Sequence, residues 1–303
     1  MKKWIGILLS AALMASIFTA CSGNNYGSGT QGEGGDNADP IFNTTKDIVV
    51  ISREDGSGTR GAFIELLGIE QKNDDGTRKD LTTKEAIIAK QTDVMMMNIV
   101  GNPYAIGYMS LGSLNDMVKA VHIEGIPPTA ENVKNGTYPI TRPFNIATKG
   151  EPAGLTEDFI DFILSADGQA IVSKNYISIA ENAPVYVGKN LSGKIVVAGS
   201  SSVAPIMEKL KEAYLTINPN AAIEIQMSDS SAGITGAIDG TCDIGMTSRE
   251  LKDSELEKLS STRIALDGIV IIVNNGNTVT NLTTEQVRAI FTGEALNWSV
   301  ITP

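Results

Sequence analysis

The chain has 303 residues, 42% of them apolar, 19% charged and 5% aromatic, and carries a formal charge of −11. That length gives room for two domains with cores of their own and excludes a disordered chain, a coiled coil or a small disulfide scaffold. The acidic balance argues against nucleic acid as a partner, and two cysteines with one histidine cannot assemble a multi-ligand Cys/His zinc site.

Lys2 and Lys3 precede an uncharged apolar run from Trp4 to Ala20. The run is short for a spanning helix and is interrupted by Ser and Gly, so residues 1–21 read as an export signal. It ends at Thr19-Ala20-Cys21, which resembles the lipobox of bacterial lipoproteins and implies a lipid on Cys21. Phe18 stands where leucine is usual. Residues 22–40 are Gly, Ser, Asn, Asp and Gln with little apolar content, the composition of a flexible tether. With Cys21 acylated, Cys242 has no disulfide partner and reads as a half-buried, inert thiol.

From Asp47 onward, short β-branched runs alternate with amphipathic helices, the pattern of an α/β protein. Ile48 to Ile51 is a buried strand, followed by a Gly-rich turn and a helix from about 59 to 67. The Met95-Met96-Met97 run reads as helical core. Residues 105–108 and 118–123 are strands, and residues 155–173 form one helix with Leu155, Phe159, Phe162, Ile163 and Ala166 on a single face. Residues 194–198 form a strand that leads through a Ser-rich turn into a helix carrying Val203, Ile206, Met207, Leu210 and Tyr214. A strand at 223–225 and a helix at 234–238 follow. The apolar strand 264–273 then leads to a helix opened by the capping box Thr283-Thr284-Glu285-Gln286.

Three strand–turn–helix junctions carry the chemical information: Ser52 to Arg60, Gly199 to Val203, and Ser228 to Gly233 with Thr247-Ser248-Arg249 shortly after. Each places hydroxyls and small residues where a helix begins. Free N–H groups and the positive end of the helix dipole suit such places to an anion. Any one of them can be a plain N-cap; three together, with Arg53 beside one, point to an oxyanion receptor.

At these residues the chain resembles the PstS family, the phosphate-binding lipoproteins of bacterial ABC uptake systems. The resemblance runs over residues 45–303. It rests on Arg53-x-x-x-Ser57-Gly58-Thr59, on Gly199 to Pro205, on Asp243 to Arg249, on Ile264 to Gly268, and on Phe291-Thr292-Gly293 with Asn297-Trp298. It implies a two-lobed α/β fold of the type II periplasmic-binding-protein kind, with a ligand cleft between lobes joined by crossover strands. One lobe, 41–120 plus 271–303, carries the Arg53 motif; the other, 121–270, carries the serine turn. The phosphate contacts it implies are Arg53, Ser57, Gly58, Thr59, Ser201, Ser202, Ser230 and Ser248. The motif order differs from that of the family, where the serine turn comes first; joining Pro303 to Asp47 restores it. This order is that of a circular permutation, with the polar stretch 181–193 linking the old ends.

How phosphate is told from sulfate is left open by the resemblance. Where some members have an aspartate that accepts the proton of hydrogen phosphate, this chain has Ser248, which donates as well as accepts. Asp267, an acid within an apolar strand, is the expected replacement. Asp55 and Asp229 are rivals, and pairing of Asp267 with Arg249 is the alternative.

Two enzyme readings compete. Gly56-x-Gly58-x-x-Gly61 matches a dinucleotide fingerprint, but a polar loop at 72–78 stands where a second strand and its ribose-binding acid belong. A serine hydrolase needs a base, and the lone His122 lies in an apolar run without a Gly-x-Ser-x-Gly elbow. The expectation is therefore a non-catalytic, extracytoplasmic receptor, lipid-anchored through Cys21 and monomeric. It captures inorganic phosphate for an ABC permease and needs neither cofactor nor metal. Sulfate or molybdate binding, or phosphate sensing, are the alternatives.

Overall fold

A computed structural model describes residues 42–73, 77–180 and 182–301. The export signal, Cys21, the tether and Pro303 lie outside these residues. A nine-stranded mixed sheet runs through the molecule. Its main strands in chain order are β1 (Val49–Arg53), β2 (Ile87–Ala89), β3 (Ala105–Ser110), β4 (Thr141–Thr148), β5 (Gly193–Ser200), β6 (Ala221–Ser228), β7 (Ile244–Thr247) and β8 (Ser260–Val273). Their spatial order is β6-β5-β7-β4-β8-β3-β1-β2. The principal helices are α1 (Gly58–Leu66), α2 (Thr92–Val100), α3 (Leu155–Leu164), α4 (Ala166–Val172), α5 (Ala204–Ile217), α6 (Ser230–Asp239) and α7 (Thr284–Thr292).

Strand β8 divides the sheet and joins its halves. Its first part, Ser260 to Gly268, pairs antiparallel with β4; its second part, Ile269 to Val273, pairs with β3. At the switch the Ile269 N–H bonds to Ile140 C=O, just before β4 begins. Two strands thus cross from one half to the other side by side. Residues 264–273 are almost entirely buried, which explains their continuous apolar run: both faces of this strand are covered.

The buried side chains gather on either side of that crossover. One cluster is built around Phe63, Tyr108, Ile271, Phe291 and Trp298, the other around Phe144, Phe159, Val197, Met207 and Tyr214. The first cluster also contains Val121, Ile123, Val133, Tyr138 and Ile140. The lobe boundary expected at residue 121 is therefore corrected: 121–140 packs with the Arg53 half, and the chain crosses at Ile140 and Gly268. The cause is local, since His122 and Ile123 pair in parallel with Asn281 and Leu282, which belong to that half.

The helix expected at 155–173 is two helices. Ser165 is extended (φ −70°, ψ 168°) and caps α4, its Oγ accepting from Gly168 N–H while donating to Phe162 C=O. A serine hydroxyl that satisfies both the old helix end and the new helix start makes the break favourable. The expected Thr283 capping box is present, with reciprocal bonds to Gln286. Met95 is fully buried while Met97 is exposed on the outer face of α2, so only part of the methionine run is core.

Candidate functional site

Strand β1 ends at Arg53, and the chain turns through Glu54 to Ser57 into α1. Ser57 is the N-cap, accepting from Arg60 N–H. The Arg53 side chain is 2% exposed. Its Nε and Nη2 donate to the Glu54 carboxylate at 2.9 and 2.8 Å, Nε also to Ala89 C=O at 3.1 Å, and Nη2 also to Ser201 Oγ at 3.1 Å. Tyr108 supports the turn from below: its hydroxyl accepts the Arg53 N–H at 3.1 Å and meets Ser52 Oγ at 3.0 Å, and its ring stacks on Phe63. Asp55 is not the partner of Arg53. It points outward and pairs with Arg60, because Glu54 reaches the guanidinium first.

The other half of the sheet presents two turns to the same place. Strand β5 ends at Ser200, and Ser201 and Ser202 lead into α5, whose N-cap residue Val203 offers no capping side chain. Pro205 has no N–H and Ile206 N–H bonds to Val203 C=O, so of this first turn the Ala204 N–H is the one that a neighbour or a ligand can take. Ser230 opens α6 behind its N-cap Asp229, and Ser248 follows β7. Ser248 N–H donates to Ser230 Oγ at 3.1 Å, and Ser200 Oγ donates to Ser248 Oγ at 3.0 Å. Asp229, a rival for the role of proton acceptor, spends one carboxylate oxygen on the Ala232 N–H.

The two halves meet at these turns. Thr59 Oγ1 lies 2.9 Å from Ser202 Oγ, Arg53 reaches Ser201, and Ser231 N–H donates to Gly56 C=O at 3.2 Å. A side chain on Gly58 would run into Ser230 Oγ and Ser248 Oγ, so glycine here lets the α1 start approach the opposite turn. Arg53, Ser57, Thr59, Ser201, Ser202, Ser230 and Ser248 are all buried. One guanidinium, several hydroxyls and the N-termini of α1, α5 and α6 surround one point, a donor set for a tetrahedral oxyanion.

Asp267 stands apart from that set. Fully buried on β8, it takes two bonds at Oδ2 from Arg142 Nε (3.1 Å) and Nη2 (3.0 Å), while Oδ1 accepts from Ser110 Oγ at 2.9 Å. Burial pushes the Asp267 carboxyl up and the Arg142 guanidinium down, and their mutual attraction opposes both shifts. No bond joins Asp267 to a motif hydroxyl among the described residues. Its arginine is Arg142, directly opposite on β4; Arg249 instead makes a two-armed pair with Glu255. Arg142 also donates to Ser248 C=O at 3.3 Å, so it buttresses the turn from behind.

Arg142, Tyr108 and Thr92 are the site's supports that the sequence reading missed. Thr92 had a signal, a polar Lys90 to Asp93 stretch ahead of an apolar run; Arg142 had none, since its partner lies far along the chain. The enzyme readings gain no support from the geometry. His122 is exposed at a short strand, Cys242 is buried with its thiol pushed up by burial, and no metal-holding cluster occurs among the described residues. A groove of about 800 Å³ beside Ile177, Leu266 and Arg263 shares no residue with the motif turns.

A family model for the PBP superfamily domain matches residues 37–167 and 184–302. The phosphate-binding protein PstS 2 of Streptococcus agalactiae serotype V is 52% identical over 300 residues, 98% of this chain and 97% of its own. The crystal structure of a phosphate ABC transporter, phosphate-binding protein from Streptococcus pneumoniae TIGR4 matches with a TM-score of 0.69 at 44% identity. That match covers 84% of this chain and all of the other (100%). The phosphate-binding protein PstS of Bacillus subtilis is 32% identical over 152 residues, 48% of this chain and 46% of its own.

Proposed function

We infer that this chain, which belongs to the PstS family of phosphate-binding proteins, is the extracytoplasmic substrate-binding protein of an ABC phosphate transporter. It is a receptor and not an enzyme. In our reading Arg53, Ser57, Gly58, Thr59, Ser201, Ser202, Ser230 and Ser248 hold the phosphate. The observation that carries this assignment is the meeting of residues from both halves of the sheet around the buried Arg53 guanidinium. Closure of the halves about the paired crossover at Ile140 and Gly268 replaces water around the anion with fixed donors. The Lys2–Cys21 segment supports attachment of the mature chain to the membrane by a lipid on Cys21.

Calorimetric titration with inorganic phosphate tests the assignment. One phosphate per chain is expected, with binding lost together with the Arg53 side chain. Absence of phosphate binding, or equal binding by an Arg53 variant, would remove these residues from the role.

The chain order is proposed to be a circular permutation of the family's usual order. Its support is the junction of the two ends: Ile48 N–H donates to Leu296 C=O at 2.8 Å, Asp47 bridges Asn297, and Trp298 N–H donates to Lys46 C=O. A variant joined at 301 to 47 and opened within 181–193 should bind phosphate as the parent does; a variant that folds but does not bind would count against it.

A further inference from the structure

Helix α2 begins at Thr92, and its N-cap residue Gln91 is extended (φ −147°, ψ 164°) and makes no side-chain capping bond. Thr92 is 8% exposed. Its Oγ1 lies 3.4 Å from Arg53 Nη1, 3.4 Å from Ser201 Oγ and 3.3 Å from Ser202 Oγ. A single hydroxyl thus touches the one cation of the phosphate site and both serines of the opposite turn.

The polarity of the arginine contact is fixed by what each group can do. A guanidinium only donates, whereas a hydroxyl has one proton and two lone pairs. Arg53 Nη1 therefore occupies a lone pair of Thr92; in the two serine contacts either oxygen can donate, and the relay takes the direction in which Thr92 donates. Ser201 is in the same position, since its oxygen already accepts from Arg53 Nη2 at 3.1 Å. A serine whose oxygen accepts from Arg53 and Thr92 keeps its own proton for another acceptor, such as a bound anion.

We propose that Thr92 is a positioning residue of the phosphate site: its hydroxyl holds the Arg53 guanidinium and sets the serine turn so that the Ser201 and Ser202 protons face the anion. The proposal rests on the phosphate reading given above. It explains why a threonine is buried at a helix start where its side chain caps nothing. Such a relay gives a net-donor surface without a second cation, and it works only when the two halves of the sheet are closed, because Thr92 and the serines lie on opposite halves.

The test separates the hydroxyl of Thr92 from its bulk. Thr92→Val keeps the branched shape and removes the hydroxyl; Thr92→Ser keeps the hydroxyl and removes the methyl. With inorganic phosphate as the titrant, Thr92→Val should bind about tenfold more weakly, the equivalent of about 1.4 kcal/mol and in the range of a hydrogen bond to a charged group. Thr92→Ser should stay within about twofold of the parent, under half that free energy. Both should unfold at the parental temperature when phosphate is absent. If valine disturbs folding, Thr92→Ala against Thr92→Ser poses the same question.

The opposite pattern, with valine tolerated and serine weakened, would show that Thr92 only fills space and would overturn the proposal. Equal binding by all three proteins would overturn it as well, while leaving the phosphate reading intact. Failure of the unsubstituted protein to bind phosphate would overturn both.

Discussion

Two arginines are buried where the halves of the sheet meet, and they are held in opposite ways. Arg142 faces a single, fully buried acid, Asp267, and both lie on strands that carry the crossover. Arg53 is shared among Glu54, the Ala89 carbonyl, Ser201 and Thr92. Its acid is still 16% exposed, while that of Arg142 is wholly enclosed. A charge bound by one enclosed counter-charge is committed to the fold, because neither partner can leave without stranding the other. A charge held by neutral oxygens and by an acid near the surface can rearrange those partners when an anion arrives. The two arginines have the same chemistry, and what separates the structural role of Arg142 from the binding role proposed for Arg53 is how replaceable their partners are.

That contrast is sharpest in stability. Arg142→Ala leaves Asp267 buried without its counter-charge, and losses of this kind run to about 3–5 kcal/mol. Urea unfolding without phosphate should show a loss of that order. A loss below about 1 kcal/mol, far under that range, would mean that the pair is incidental to the fold.

Arg53→Ala should reverse the pattern. Glu54 can turn to water once its partner is gone, so the stability of the unliganded protein should change little. Phosphate affinity should fall by roughly 30-fold or more, since truncating one partner of a buried charge pair costs about 2–5 kcal/mol. If Arg53→Ala instead unfolds the protein while Arg142→Ala does not, the assignment of the two roles is inverted.

Gly58→Ala probes the approach of the halves without touching either arginine. The added methyl would meet Ser230 Oγ and Ser248 Oγ, and overfilling a close-packed site costs about 1–3 kcal/mol. The methyl opposes only the closed form, so phosphate affinity should drop about tenfold with little change in unliganded stability. Unchanged affinity would mean that the α1 start and the α6 turn can separate while the anion stays bound.

The motif turns in this comparison were legible in the sequence and the buried Arg142–Asp267 pair was not. The Ser52–Arg60 and Gly199–Val203 turns announce themselves because each is a local run of small and hydroxyl residues where a strand gives way to a helix. Arg142 sits in Thr141-Arg142-Pro143-Phe144, where a proline discourages a strand reading. In the fold, Leu266 opposite Pro143 makes its own bonds to Ile177, and β7 pairs no further than Asn145. No ladder bond is therefore asked of the proline, and the strand persists. The acid for Arg142 lies 125 positions away, and no local pattern connects the two. Asp267 was visible as a buried acid, but its partner and hence its role depended on register. The split at Ser165 was hidden for a related reason: apolar spacing continues across it, and only the capping geometry of one hydroxyl breaks the helix.

The smallest effect concerns a third arginine, which falls between the two extremes. Arg249 and Glu255 make two parallel bonds of 2.8 Å, with side chains 11% and 14% exposed. Burial pushes the Glu255 carboxyl up. The hydrogen bonds and charge of Arg249, with the Lys252 N–H, outweigh that and hold it below its ordinary value of 4.5. The folded protein therefore binds this proton less readily than the unfolded chain does. The resulting stability is present above the ordinary value and is lost as the pH falls through the lowered folded one. Arg249→Met should cost only about 0.5–1 kcal/mol near neutral pH, the scale of a partly exposed ion pair. The difference between parent and variant in urea unfolding should stay level from about pH 7 to 5 and shrink as Glu255 protonates below that. A difference that persists unchanged into strong acid would assign the stability to packing of the arginine stem. In that case Arg249 would differ from both buried arginines in needing no counter-charge at all.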